Sequence, residues 1–178
     1  MVYHGGMVRW WWLPLCLGVL LTAQGNRPRF EDYPASPLWA GPNAPIKLTS
    51  RAERMFRTRL SEASRQPPDF AGHFRFAGWG CGSVCAAGAI IDLTTGIVYQ
   101  PPMGGRGTGW ERWMYCGGVV DGPFVEYRPD SRLVLTRCQG AGDAAKQDLR
   151  YFVWEGTHFK PILHVTEDKR HSGFRSKD

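Results

Sequence analysis

Between His73 and Asp92 the chain reads HFRFAGWGCGSVCAAGAIID, with Cys81 and Cys85 four positions apart among glycines, behind His73 and Trp79. Three chemistries use such residues. A dithiol can cycle with its disulfide, which needs one cysteine of depressed pKa, typically at a helix N-terminus. Two thiolates with an imidazole form a soft ligand set suited to Cu(I) or Zn, and His73, eight residues before Cys81, would be the third ligand. Two cysteines can also be oxidised into a structural staple. The residues after Cys85, AAGAIID, favour a strand over a helix, and C-x-x-x-C is not the C-x-x-C of thioredoxin-like proteins. The staple is therefore the expectation, with His73 and Trp79 as candidate binding residues beside it. A Cu/Zn or thiol-redox protein using Cys81, Cys85 and His73 is the alternative.

Other catalytic patterns are missing. CGSVC superficially resembles the nucleophile segment of papain-like proteases, but a valine is inserted and His158 and His164 lie much too near for that fold. No G-x-S-x-G elbow occurs. GGRGTG lacks the Lys-Ser/Thr of a phosphate loop. Asp92, Asp121, Glu126 and Asp130 fall at turns or strand ends, where short acids close Asx turns. No catalytic residue and no cofactor is expected.

The compartment follows from the N-terminus. One arginine, Arg9, precedes an apolar run from Trp10 to Leu21 and then small residues, the layout of a secretory signal peptide cut near Ala23 or Gly25. The run is short for a membrane span, which needs about 20 residues. A lipoprotein signal acylated at Cys16 is the rival, with the large Leu15 against it, and a retained anchor is another. Removing residues 1–25 takes Arg9 away and lowers the formal charge from +6 to +5. A moderately basic exported protein has a weak attraction to anionic surfaces. Neither a nucleic-acid motif nor a long basic run is present, so no nucleic acid is expected.

Of the five cysteines, Cys16 leaves with the leader, and Cys81, Cys85, Cys116 and Cys138 remain. An even number in an exported chain reads as disulfides, with three connectivities open. Gly80 and Gly82 give the backbone the freedom to close the short loop, so the expected bridges are Cys81–Cys85 and Cys116–Cys138.

These residues must be positioned by the elements around them. Residues 26–48, rich in proline and aromatics, read as an extended arm. Ser50 three residues before Glu53 is a capping box, and Ala52, Met55, Phe56, Leu60 and Ala63 form one stripe, so a helix is predicted over Ser50–Arg65 before Pro67 and Pro68 stop it. GAIIDLTTGIVYQPP, FVEYRPDSRLVLTRC and LRYFVWEGTHFKPIL each read as a hairpin. The expectation is a single α+β domain over residues 49–165, an antiparallel β-meander of about six to eight strands with one amphipathic N-terminal helix packed on it. Residues 166–178 read as a flexible tail.

FAGHF, WGCGSVC, GAIIDLTTGIVY, DSRLVL and YFVWEG, in this order, resemble a family of small exported proteins of Gram-negative bacteria with a G-H-[YF] then W-G-C-G-x-x-C signature. The resemblance spans about Phe70 to Leu163. It implies a periplasmic or secreted location and this kind of fold, and carries no activity. Members often have a cysteine just ahead of the Y-x-W-x-G strand, where this chain has Asp148 and Leu149.

The functional expectation is a periplasmic or secreted binding or structural module, inhibitor-like or envelope-associated, with an envelope or secreted protein as partner. Five of the eight tryptophans lie beyond the leader. Trp110 and Trp113, in the Gly-rich connection, are the candidate interface anchors, since tryptophan is enriched in interfaces.

Overall fold

A computed structural model describes residues 1, 27–83, 85–104 and 113–169. Among them, eight antiparallel strands lie in two four-stranded sheets, with two short α-helices ahead of the first strand. Residues 2–26, over which the sequence predicts a signal peptide, residues 105–112 of the Gly-rich connection with Trp110, and the last nine residues lie outside the described residues.

The first sheet is built on β2 (Cys85–Asp92). Strand β1 (Phe74–Gly80) pairs with it in register from Phe74 opposite Asp92 to Gly80 opposite Ala86. Along its other edge, β3 (Val98–Tyr99) pairs with Ile90 and Ile91, and β4 (Met114–Gly117) pairs with Cys85–Ala87. The β2–β3 turn holds Gly96 at φ +76°, where L side chains are strained, and Asp92 ties it down.

The second sheet is a meander of β5 (Val125–Tyr127), β6 (Leu133–Gln139), β7 (Lys146–Trp154) and β8 (Phe159–Asp168). The three hairpins read from the sequence are the β2–β3, β5–β6 and β7–β8 pairs. Two findings depart from the sequence expectation. The strands divide between two sheets instead of running on as one meander. Thr166, Glu167 and Asp168 belong to β8, opposite Asp148, Gln147 and Lys146, because β7 is long enough to pair with them.

Period-2 alternation fills the core. One cluster unites both sheets: Phe74, Phe76 and Ile90 from the first with Val134, Cys138 and Trp154 from the second, around Phe70. Leu133, Leu135, Leu149, Tyr151 and Val153 point to the opposite face of the second sheet, where Phe30 and Tyr33 pack on them.

The helices cover the far face of the first sheet. Helix α1 (Arg51–Met55) starts at the capping box: Glu53 N–H donates to Ser50 Oγ at 3.1 Å, and Ser50 N–H donates to Glu53 Oε2 at 2.9 Å. Helix α2 (Arg57–Ser64) follows after Phe56 leaves the helical region at φ −98°, ψ 16°. The predicted single helix is thus broken at Phe56, whose ring lies 4.8 Å from that of Trp79, tilted by 38°. Ala52 and Leu60 are buried against Ala77, Ala87, Ala89 and Ile91. Met55 falls off the predicted stripe and is 57% exposed, just before the break.

The arm is bonded along its length. Ser131 Oγ donates to the carbonyls of Phe30 and Tyr33 at 2.8 and 3.0 Å, and Ala35 N–H donates to Asp130 O at 2.9 Å. Trp39 N–H then meets Gly72 O at 2.9 Å, Ala44 N–H meets Leu93 O at 2.7 Å, and Lys47 N–H meets Gly96 O at 2.8 Å. Residues without strand alternation thereby satisfy their backbone groups on both sheets.

Candidate functional site

The cysteines pair as expected. Cys81 and Cys85 close the mouth of the β1–β2 hairpin with α-carbons 5.2 Å apart, and Cys116 and Cys138 are bridged with α-carbons 5.1 Å apart. Both separations lie within the roughly 4.4 to 6.8 Å that a disulfide spans. The first bridge is half-buried; the second is buried, tying β4 of one sheet to β6 of the other.

The structure separates the residues of the alternative metal site. His73 sits opposite Leu93 at one end of the β1–β2 ladder, with Leu93 N–H donating to His73 O at 3.0 Å. Cys81 sits opposite Cys85 at the other end. Eight residues of extended chain at about 3.3 Å each put about 26 Å between histidine and cysteine. Both sulfurs are also committed to each other. Among the described residues no group of three His, Cys, Asp or Glu side chains converges.

Trp79 is half-buried, its ring tilted against that of Phe56. Trp113 is 3% exposed in the cluster under the helices, edge-on to Phe56 at 6.3 Å. An anchor needs surface to offer, and Trp113 has almost none; it stands just ahead of β4, with its ring against Phe56 at the junction of the two helices. Trp110 lies outside the described residues.

His73 opens into a cleft of about 440 Å³ lined by Ser36, Asp92, Arg132, Trp154 and Glu155, among others. That volume lies within the range of small-ligand sites. The arm supplies Ser36, the β2–β3 turn Asp92, β6 and its approach Arg132, and the β7–β8 turn Glu155. Sequence reasoning saw Asp92 as a turn residue and did not find Arg132 or Glu155, because they lie in separate segments.

Asp92 is a turn acid as well as a cleft residue. Its Oδ1 accepts from Thr94 N–H at 2.8 Å and Thr94 Oγ1–H at 2.6 Å, and its Oδ2 accepts from Thr95 Oγ1–H at 2.8 Å. Burial works to raise its pKa, but these bonds outweigh it and, with His73 nearby, hold the carboxyl below its usual range. His73 Nε2 stands 3.9 Å from Asp92 Oδ1. Glu155 is engaged by His158 at 3.2 Å and Lys160 at 3.8 Å.

Arg132 differs from its neighbours. Its Nε donates to Pro34 O at 3.2 Å and its Nη1 to Trp154 O at 3.4 Å, so two backbone carbonyls orient the guanidinium. Among the described residues no carboxylate pairs with its charge. The cleft therefore presents one oriented cation beside an imidazole, over an aromatic floor, with the carboxylates of Asp92 and Glu155 held by their own partners.

No family model, curated protein or solved structure matches this chain.

Proposed function

We propose that the protein is a periplasmic or secreted binding module, held together by its disulfides, which takes an acidic group of an envelope or secreted partner into the His73–Arg132 cleft. The observation that carries the reading is Arg132, fixed by two carbonyls at the cleft with its charge unpaired among the described residues. An oriented guanidinium loses little freedom on meeting a carboxylate, and this favours binding.

Export is supported by the leader-like N-terminus, by the two bridges, which belong to oxidising compartments, and by the resemblance of Gly72–Cys85 to exported Gram-negative proteins. Among the described residues no helix is long and apolar enough to cross a membrane. Arg51, Arg54, Arg57, Arg59 and Arg65 are exposed on the helices, which supports the weak attraction to anionic surfaces.

The test compares the full chain with Arg132→Ala and His73→Ala. Cell fractionation should recover the wild type in periplasm or medium, with its N-terminus between Gln24 and Arg27. Envelope extract should yield a partner that Arg132→Ala fails to retain. Equal retention by wild type and Arg132→Ala would sink the cleft as the site, and cytoplasmic recovery with reduced cysteines would sink the export reading.

A further inference from the structure

Strand β1 is an edge strand, and the protection of its outer edge stops halfway. The register fixes which groups face out. Leu93 N–H donates to His73 O and Cys81 N–H donates to Cys85 O, so odd-numbered residues of β1 bond inward to β2 and even-numbered ones turn outward. Over the first half three of the four outward groups are met. Phe74 exchanges both backbone bonds with Phe70, at 2.9 and 3.0 Å, and Phe76 N–H donates to Asp69 Oδ1 at 2.8 Å. Over the second half, the N–H and C=O of Gly78 and of Gly80 meet no partner among the described residues, and both glycines are exposed. A Cβ built on either would find nothing within 4 Å.

Proteins normally blunt such an edge with a charge, a proline or a bulge. Here the open stretch is Gly-Trp-Gly, and the Cys81–Cys85 bridge fixes its far end. The stretch is symmetric about Trp79. In an antiparallel pair of copies related by a two-fold axis at Trp79, Gly78 of each copy lies opposite Gly80 of the other. Each of these glycines then exchanges N–H and C=O with its opposite, so the groups left open are the ones satisfied. The two Trp79 side chains become a non-hydrogen-bonded cross-strand pair, the closer of the two kinds and one in which aromatics attract. The next outward position of the partner is Gly82, which has already left the strand and so spares the capped half.

We propose that the occupant of this edge is a second copy of the chain, joined β1 to β1 across Trp79 into one continuous sheet. A contact over so few residues buries less than the roughly 1,200 Å² of a stable interface. The dimer is therefore weak. The exposed arginines of α1 and α2 lie on the same side of the sheet as Trp79 and oppose association, so added salt strengthens the dimer by screening them.

Sedimentation equilibrium of the mature chain, from about 10 µM to about 1 mM, should show mass rising from monomer to dimer, more steeply in high salt. Gly78→Pro removes one outward N–H at a position where an edge strand tolerates proline, and should weaken dimerisation at least tenfold with both native disulfides intact by peptide mapping. Trp79→Cys in the otherwise native chain should cross-link copy to copy on mild oxidation while Cys81–Cys85 persists, a readout that does not depend on the proline variant folding. A monomer at the highest concentration with no Trp79→Cys cross-link would overturn the proposal. So would a dimer that Gly78→Pro leaves unchanged.

Discussion

Cys116 and Cys138 join β4 of the first sheet to β6 of the second, twenty-two positions apart in the chain, inside the cluster that both sheets share. The bridge closes a loop that includes the Pro/Gly turn ahead of β5, so it restricts the unfolded chain where the two sheets must find each other. The loop-closure model gives about 3 kcal/mol for it and about 2 kcal/mol for the tighter Cys81–Cys85 loop. Replacing both Cys116 and Cys138 by alanine should lower stability by about 3 kcal/mol in urea unfolding, with the Cys81–Cys85 bridge still forming.

The two bridges should also differ in how they yield to reductant. Cys81 and Cys85 are half-buried at a hairpin mouth, whereas Cys116 and Cys138 are 4% and 8% exposed. Attack by a thiolate needs access to sulfur. Timed alkylation under dithiothreitol should label Cys81 and Cys85 well before Cys116 and Cys138. Simultaneous labelling would mean that the domain opens globally before either bridge is reached.

Trp113→Ala should cost about 3 to 5 kcal/mol, the usual penalty for emptying a buried aromatic site. The thermal midpoint of this variant is the measurement. A loss below about 1 kcal/mol would return Trp113 to the surface role that its Gly-rich neighbourhood implies.

Gly72 holds φ +86°, donates its N–H to Pro129 O at 2.8 Å and accepts from Trp39 at 2.9 Å. An added Cβ would meet Ser36 O at 2.6 Å. Gly72→Ala should therefore loosen the arm and cost about 1 to 3 kcal/mol from the backbone conformation alone. Limited proteolysis between Arg29 and Lys47 should speed up, and unchanged cleavage would contradict the tight fit.

Asp92 makes the fold sensitive to acid. Its pKa is lower folded than unfolded, so the ionised form favours the folded state. That contribution is fully present above the ordinary carboxylate value and fades as pH falls through the depressed one. Asp92→Asn should lose about 1 to 3 kcal/mol at neutral pH and show a flatter acid limb in a plot of stability against pH. An acid limb identical to wild type would assign the sensitivity elsewhere.

How far the sequence carries depends on how local each signal is. The Ser50–Glu53 capping box, the Asp92–Gly96 turn and the Glu155–Gly156 turn involve neighbours a few positions apart, and all three stand in the structure. The Cys81–Cys85 bridge was legible for the same reason. The break at Phe56 was not, because it serves a ring contact with Trp79, twenty-three positions on. The division into two sheets escaped too: a hairpin pattern reports its own pairing and says nothing of which hairpins share an edge. Of the cleft, only His73 was marked. Arg132 is one arginine among many in the sequence, and only the carbonyls of Pro34 and Trp154 single it out. Trp113 misled because glycine-rich surroundings describe the backbone and leave side-chain burial open.

The arm sets an order in time. Phe30 and Tyr33 leave the ribosome early, yet the hydroxyl that fastens them belongs to Ser131, about a hundred positions later. The outer face of the second sheet must therefore wait, uncovered by the arm, until β6 and β7 have been made and paired. Closing so large a loop is among the slower steps of a folding reaction. Until Ser131 has been made, the arm lacks the hydroxyl that fastens it, and Phe30 and Tyr33 keep their apolar surface in water.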